Sequence, residues 1–325
     1  MKRIIYLSPY AADCITGGIK VMFRHVEMLC QLGFDACVYA PAGRPPWLAT
    51  DAPLFSGRDL LSNPRHILVF PELLNGDLCK WALADIAASK VMLCQNQYYS
   101  FSEALQAKPL HELDFIKLVT VGQVARGFLD RVFAPAVFDV APVWIDGALF
   151  HPRAKTPSIA VFPRKLPQVY DMLRRIFVAK YPQLRDTPWR LIHKLPERRA
   201  AEILGEATVF LSLCDRECCP LSALEAMSSG CAVAGFHGYG GLEYATAENG
   251  IWLPPDHLEE TVDALASLLI ADQEGDARIA RYRENGFETA RGFNKERTKV
   301  ELARIYAPLC KPSVLQELDG WLQQI

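Results

Sequence analysis

The sequence predicts an α/β protein made of two successive domains, each with a parallel β-sheet covered by helices. Three observations indicate this class. Short, continuously apolar runs alternate with segments of helical periodicity, which is the pattern of parallel strands buried on both faces. This alternation restarts near residues 145–155. A chain of 325 residues is also long for a single hydrophobic core.

The first block opens with the apolar run 3–8, and the segment from Gly17 to Leu32 has its apolar residues on one side of a helix. Residues 41–65 are rich in Pro, Gly and Asp and are predicted to form a long loop. The remaining strand candidates of this block are residues 36–40, 66–70, 91–95 and 117–121.

The second block continues the alternation and ends in three helices. Its strand candidates are 158–163, 189–193, 208–213 and 231–236, and its helix candidates are 168–180, 197–204, a segment after Pro220, 257–271, 276–291 and 294–309. The predicted domains are therefore residues 1–150 and 151–305, with residues 306–325 forming a helix that returns to the first domain.

Composition and charge exclude several classes of protein. The net charge of −2 gives no general attraction to nucleic acid or to anionic lipid. The ten cysteines include no C-x2-C pair, so no zinc site is expected. The N-terminus lacks the pattern of a signal peptide, and no apolar run is long enough to cross a bilayer. We therefore expect a cytoplasmic protein that does not bind nucleic acid.

The loop after the first strand is a candidate anion site, because ligands of open parallel sheets bind at the carboxyl ends of strands. Thr16, Gly17 and Gly18 open a helix there, and glycine lets an anion approach the free backbone N–H groups. The alternative is a glycine turn with a threonine cap and no ligand.

Two pairs of basic residues follow strands of the second block. Arg164 and Lys165 come after the strand 158–163, where they suit phosphate oxygens unless they are simply solvated. His193 and Lys194 follow the next strand and have the same two interpretations.

The stretch RECCPLSALEAMSSG, residues 216–230, predicts a helix that Pro220 begins and Gly230 ends. Its N-terminus faces the carboxyl edge of the sheet and favours a phosphate. Glu217 and Glu225 accept hydrogen bonds, so the pair suits the hydroxyls of a nucleotide sugar. The alternative is that both glutamates are exposed surface charges.

A second glycine-rich loop follows the next strand. The sequence FHGYGGLEY contains Gly240 and Gly241, followed by Glu243. Together with the basic pair and the glutamate stretch, this loop gives neighbouring strands of one block three candidate ligand loops.

These motifs resemble those of the GT-B-fold glycosyltransferases, specifically the family 4 group of retaining, nucleotide-sugar-dependent enzymes. The similarity runs through most of the chain and rests on GGIK, IDGALFHP, the Arg–Lys pair, ECCPLSALEAMSSG, GYGGLE and ENGIWLPP. It implies two Rossmann-like domains that face each other across a cleft, with the C-terminal helices packing back toward the N-terminal domain.

The resemblance also implies roles for the candidate residues. Glu217 would lie by the donor sugar and Glu225 would bind the nucleotide ribose, while Arg164 and Lys165 would neutralise the diphosphate that leaves. The other donor contacts that it implies are the backbone at Leu221 and Ser222, the glycines Gly17, Gly18, Gly240 and Gly241, and, toward the base, His193 and Lys194.

The implied reaction moves a sugar from a nucleoside-diphosphate sugar to a hydroxyl group of a saccharide or glycolipid acceptor, with retention by front-face attack. The pathway would be the assembly of a polysaccharide, lipopolysaccharide or glycolipid. Relatives need no metal, and this chain has no Asp-x-Asp motif, so we expect neither a metal nor another cofactor.

The chain departs from the family pattern at several positions. Pro220 stands where the family commonly has a glycine, and the basic residues Arg164 and Lys165 are adjacent rather than separated. A histidine expected in the first domain is absent, which leaves Gln95 and Asn96 as candidates for acceptor or sugar contact. Glu72 either lines the acceptor cleft or simply begins a helix.

These departures keep alternative functions open. A non-hydrolysing nucleotide-sugar epimerase shares the fold, and a degenerate relative would bind nucleotide sugar as a scaffold without turnover. Residues 125–133 form a mildly basic amphipathic segment. It predicts weak peripheral association with the inner membrane face, with a solvated helix as the alternative.

Overall fold

The computed structural model describes residues 2–310, which divide into two compact units. The first unit contains residues 2–143 and 295–310, and the second contains residues 144–294. The sequence predicts these two domain boundaries after residues 150 and 305, whereas the structure has them after residues 143 and 294. Residues 311–325 of the predicted returning helix lie outside the described part of the chain.

The first unit is a six-stranded parallel sheet with the strand order β2-β1-β3-β4-β5-β6. Its strands are β1 (Arg3–Leu7), β2 (Ala36–Tyr39), β3 (His66–Pro71), β4 (Ser89–Cys94), β5 (Phe115–Thr120) and β6 (Asp139–Val140). Its helices are α1 (Gly17–Gln31), α2 (Gly76–Leu83), α3 (Glu103–Ala107), α4 (Gln123–Val132) and, from the end of the chain, α10 (Lys295–Cys310).

The second unit is a five-stranded parallel sheet. Its strands are β7 (Thr156–Val161), β8 (Trp189–Leu191), β9 (Ala207–Glu217), β10 (Ala232–Tyr239) and β11 (Ile251–Leu253), in the order β11-β10-β9-β7-β8. Its helices are α5 (Pro167–Lys180), α6 (Glu197–Glu206), α7 (Leu221–Ser228), α8 (Leu258–Glu274) and α9 (Ala277–Arg291).

Both sheets reverse their direction of winding between the first and third strands of the unit. The reversal lies between β1 and β3 in the first unit and between β7 and β9 in the second. Helix crossovers leave these points on opposite sides, which opens a crevice outside the carboxyl ends of the two strands. Each unit therefore has one position where a ligand is expected, and the predicted α/β class is confirmed.

Local sequence explains where several helices begin and end. Thr16 caps α1 by accepting the backbone N–H of Ile19 at 3.3 Å, and Asp276 caps α9 in the same way through Arg278. Gly275 ends α8 in the left-handed conformation, at φ +67°. Pro220 precedes α7 at its N-cap position rather than forming its first residue, and Gly230 follows the helix at φ +72°.

Each unit has its own hydrophobic core between sheet and helices. In the first, Ile5, Leu68, Phe70 and Met92 are buried. In the second, the core is made by strand residues against α5 and α8: Ile159, Val209, Leu211, Phe177, Leu265 and Leu269. The continuous apolar runs of the sequence are explained by this burial on both faces of each sheet.

None of the helices formed by residues 2–310 combines the length and the apolar character that crossing a membrane requires.

Candidate active site

An ion pair spans the winding reversal of the second sheet. Lys165 lies just beyond β7 and Glu217 is the last residue of β9, and the lysine Nζ is 2.9 Å from the glutamate Oε1. Both side chains are about one-quarter exposed. The fold thus brings together Lys165 and Glu217, two residues that the sequence predicts as ligand contacts. They meet at the position where an open parallel sheet binds its ligands.

Helix α7 begins beside this pair. Its first residues, Leu221 and Ser222, are half-buried, and the first N–H groups of a helix have no partner within the helix. The Ser222 Oγ lies 3.6 Å from Cys214 Sγ, which ties the start of the helix to β9. Burial raises the pKa of the Cys214 thiol to about 12, so this thiol remains protonated.

Glu225 is buried in α7, with 6% of its surface exposed. The alternative in which this residue is an exposed surface charge is therefore wrong. Glu217 is half-buried and ion-paired, so it is not a simple surface charge either. Its place in α7, the helix that follows the Glu217 loop, keeps Glu225 a candidate ligand residue.

The glycine-rich turn after β10 packs directly on the Glu217 loop. A Cβ on Gly240 would lie 1.9 Å from the carbonyl oxygen of Cys218 and 2.5 Å from that of Glu217. A Cβ on Gly241 would lie 3.2 Å from His237 Cβ. Gly240 is therefore required by the protein's own backbone, a reason that differs from the predicted approach to a nucleotide.

Two residues near this turn were missed by sequence reasoning. Tyr244 is buried and its hydroxyl donates a hydrogen bond to the carbonyl of Pro220 at 2.8 Å. His237 pairs in register with Cys214, and burial lowers the pKa of its imidazole. The Nδ1 of His237 is buried without a hydrogen-bond partner. The sequence FHGYGGLEY contains both residues, but only the contacts of the folded chain distinguish them.

Backbone strain accompanies the same loops. Arg216 and Tyr239 are non-glycine residues with positive φ, at +47° and +59°, and Lys194 has φ +51°. Such conformations cost of the order of 1–3 kcal/mol each and persist only where the surroundings enforce them. They lie at or just beyond the carboxyl ends of β9, β10 and β8.

The other predicted basic residues are exposed. Arg164 precedes Lys165 and is exposed, while His193 and Lys194 follow β8 and are exposed as well. Because β8 lies beside β7 in the sheet, with Leu191 opposite Val161, both pairs stand at one edge of the sheet.

The first unit gathers its own candidates at the reversal between β1 and β3. Gly18 lies at the start of α1, and a Cβ there would be 3.4 Å from the Gln95 side-chain nitrogen. Glu72 follows β3, and its Oε2 accepts the backbone N–H of Gln95 at 3.1 Å. The loops that contain Gly17, Gly18, Glu72 and Gln95 are thus neighbours.

Glu72 is buried at this edge, and burial raises the pKa of its carboxyl to about 7. Backbone N–H groups of Gln95 and Asn96 act in the opposite direction, because they favour the charged form. Burial, and after it the Glu72 carboxylate, raises the pKa of Tyr10, a neighbour that the sequence did not single out. Asn96 is itself buried.

Within residues 2–310, no group of three or more His, Cys, Asp or Glu side chains is arranged to hold a metal ion. The adjacent residues Cys218 and Cys219 are buried free cysteines rather than a disulfide.

Comparisons with known proteins show similarity to glycosyltransferases. Residues 189–286 match the family model described as glycosyl transferases group 1, a range that contains Glu217, Glu225 and the Gly240 turn. The fold matches Anabaena HepE, solved in complex with UDP-glucose, with a TM-score of 0.66, 13% identity, and coverage of 95% of this chain and 100% of that chain. The chain therefore has the GT-B fold, with a glycosyl transferases group 1 domain over residues 189–286. The resemblance to GT-B-fold glycosyltransferases that the motifs predict is confirmed, whereas family 4 membership and retention stay predictions.

Two further proteins are similar to this chain. An alpha-1,6-glucosyltransferase of Actinobacillus pleuropneumoniae serotype 7 (strain AP76) is 24% identical over 237 residues, which cover 69% of this chain and 70% of the relative. A variant of S. aureus TarM, whose structure contains UDP, has a TM-score of 0.60 and 12% identity. That match covers 77% of this chain but only 57% of TarM, so the chain spans little more than half of that protein.

Proposed function

We propose that this protein is a glycosyltransferase that uses a nucleoside-diphosphate sugar as donor and binds it in the second unit. The proposal rests on one observation above all: the Lys165–Glu217 ion pair at the winding reversal, beside the N-terminus of α7. The cation and the free N–H groups of the helix suit a diphosphate, and the carboxylate suits sugar hydroxyls. A nucleotide sugar requires both groups in its binding site, a cation for the diphosphate and a carboxylate for the sugar hydroxyls.

The chemistry follows from charge. Cleavage of the sugar–phosphate bond develops positive charge on the anomeric carbon and negative charge on the departing diphosphate. Lys165, Arg164 and the N-terminus of α7 would stabilise the leaving group, and fixed charges of this kind supply the largest share of many rate enhancements. Glu217 would lie by the sugar and Glu225 by the ribose.

Retention of configuration is part of the proposal. The acceptor oxygen would attack the anomeric carbon from the face that the diphosphate leaves, and the acceptor proton would pass to a departing phosphate oxygen. The product linkage would then keep the anomeric configuration of the donor. Proton NMR of the product, read at the anomeric coupling constant, tests this point, and an inverted product would contradict it.

We also propose that no divalent metal is needed, because Lys165 and Arg164 would supply the positive charge opposite the diphosphate. Activity should be unchanged by EDTA. Activity that disappears with EDTA and returns with Mg²⁺ or Mn²⁺ would show that these two cations do not suffice.

The acceptor would be a hydroxyl group of a saccharide or glycolipid, in the assembly of a polysaccharide, lipopolysaccharide or glycolipid. Glu72, Gln95 and Asn96 are its proposed contacts, since their loops meet at the reversal of the first sheet. Gly17 and Gly18 are proposed to bind an anion through backbone N–H groups at the same edge of the first sheet.

Weak peripheral membrane association remains a further proposal. Helix α4 ends in exposed Val132, and Val137 is 64% exposed, while Arg126 is ion-paired with Asp130 rather than free. Sedimentation with vesicles of neutral and of anionic phospholipid tests it, and an absence of binding to either would remove it.

A panel of nucleotides and nucleotide sugars, read by thermal unfolding, tests the donor assignment. A ligand at 100 times its dissociation constant stabilises the folded protein by about 2.7 kcal/mol. If neither nucleoside diphosphates nor nucleotide sugars stabilise the protein, the proposal fails. Binding without hydrolysis or transfer would instead favour the scaffold alternative.

Two isosteric variants separate the roles of the glutamates. Glu225→Gln should weaken nucleotide binding about tenfold, the effect of roughly one hydrogen bond to a charged group. Glu217→Gln should lower turnover about 100-fold with little change in nucleotide affinity. Glu274→Gln, at the exposed end of α8, is the matched control and should change neither quantity. The reverse pattern would exchange the two assignments.

A further inference from the structure

Tyr244 connects the glycine turn of the second unit to the loop that carries Glu217. It follows the turn Gly240–Glu243, and its ring packs edge-on against Trp252 and Phe293. Its hydroxyl donates to the carbonyl oxygen of Pro220 at 2.8 Å. The ring is therefore held on one side, and its hydroxyl reaches the residue that immediately precedes α7.

The position of Pro220 makes this contact consequential. Proline has no N–H group, so Pro220 adds no donor of its own to the helix start, and its carbonyl is buried. A Cβ on Gly241 would lie 3.7 Å from both the Tyr244 hydroxyl and Pro220 Cγ. The turn thus packs closely on the 217–220 loop through steric contact and one hydrogen bond.

We propose that Tyr244 is a positioning residue for donor binding, acting through Pro220. By holding the carbonyl of Pro220 it fixes both ends of the proposed donor loop, with Glu217 on one side and the first N–H groups of α7 on the other. A loop ordered before binding has less conformational entropy to lose when the ligand arrives. This role rests on the proposed function, because it assumes that the loop binds the donor.

Tyr244→Phe removes the hydroxyl and keeps the ring. Tyr181→Phe is the matched control, because the hydroxyl of Tyr181, which directly follows α5, donates to Asp263 of α8 at 2.8 Å in the same unit. We expect kcat/KM for the donor to fall about tenfold in Tyr244→Phe, and kcat at saturating donor to fall as well. Tyr181→Phe should remain within about twofold of the wild type.

Hydrogen exchange of the ligand-free protein supplies a readout that does not depend on the donor. Amides of the segment 217–222 should exchange faster in Tyr244→Phe than in the wild type or in Tyr181→Phe. Unchanged exchange in this segment would overturn the positioning role. So would faster exchange with wild-type kcat and donor affinity, since the contact would then be merely structural.

Failure of the proposed function would look different. The wild type would then bind no nucleotide sugar, while exchange of the 217–222 segment would still accelerate in Tyr244→Phe. In that case Tyr244 still positions the loop, but the loop binds a ligand other than a nucleotide sugar.

Discussion

A single methyl group at Gly240 should displace the loop that carries Glu217. In Gly240→Ala the new Cβ would lie 1.9 Å from the Cys218 carbonyl oxygen, whereas ordinary contacts begin at 3.4 Å. The two backbones must therefore separate by about 1.5 Å, since neither atom is the end of a flexible side chain. A misplacement of about 1 Å at a reacting centre costs on the order of 100-fold in rate.

The assay combines thermal unfolding with donor hydrolysis and transfer. Gly240→Ala should lose at least about 100-fold in kcat, and overpacking should cost about 1–3 kcal/mol in stability. Gly147→Ala is the matched control: no atom lies within 4 Å of its Cβ position, and no positive φ strains it. Wild-type turnover and stability in Gly240→Ala would refute the packing that places Glu217.

Three further changes test other parts of the molecule. Lys165→Met should lower turnover about 100-fold but stability by no more than about 1 kcal/mol, because its ion pair is partly exposed; turnover and urea unfolding measure the two effects. Glu72→Gln should flatten the pH dependence of stability: the pKa of Glu72 is about 7 when folded against an ordinary value of 4.5. The unfolded chain therefore loses the proton first, and the free energy of unfolding of the wild type, measured in urea, should fall by up to about 3 kcal/mol between pH 4.5 and 7. Lys155→Met should cost about 1–3 kcal/mol in urea unfolding at unchanged nucleotide affinity, because the half-buried Lys155 Nζ donates to the carbonyls of Leu204, Ala207 and Ser229.

Much of the fold was predictable because burial on both faces of a parallel strand leaves a continuous apolar run. Strands such as β3 and β9 therefore stand out in the sequence. Their bounds were harder to predict, since β9 continues through Cys214 to Glu217 and includes polar residues at the carboxyl edge. Cys214 and Glu217 pair with His237 and Tyr239 of β10 across a register shift, and only the neighbouring strand reveals this.

The residues of the candidate site were predictable where they directly follow a strand in the sequence. Lys165 and Glu217 both come just after apolar runs, and parallel strands bring such positions to one edge. The order of the strands, which decides whether two of these positions are adjacent, is not written in any local pattern. The sequence therefore placed Arg164 and Lys165 together as equal candidates, and the ion pair distinguishes them.

What sequence reasoning missed depends on contacts between distant segments. In the sequence Tyr244 is an ordinary aromatic residue, because its hydrogen bond to Pro220, 24 residues earlier, exists only in the folded chain. His237 reads as a strand residue until its unpartnered Nδ1 is seen. Gly240 was predicted to allow the close approach of a ligand, whereas the group that approaches it in the structure is the Cys218 carbonyl of the chain itself.

These contacts change the interpretation of Pro220, where the chain departs from the glycine common in the family. A glycine there would contribute an N–H group and a flexible backbone, and proline contributes neither. Here the rigid ring and the Tyr244 hydroxyl fix the same segment from two sides. If the donor binds at the start of α7, its phosphates must rely on the N–H groups that follow Pro220, those of Leu221 and Ser222, and on Lys165. Pro220→Gly combined with Tyr244→Phe should therefore lose more donor affinity than the two single changes predict by addition, because each constraint still holds the loop when the other is absent.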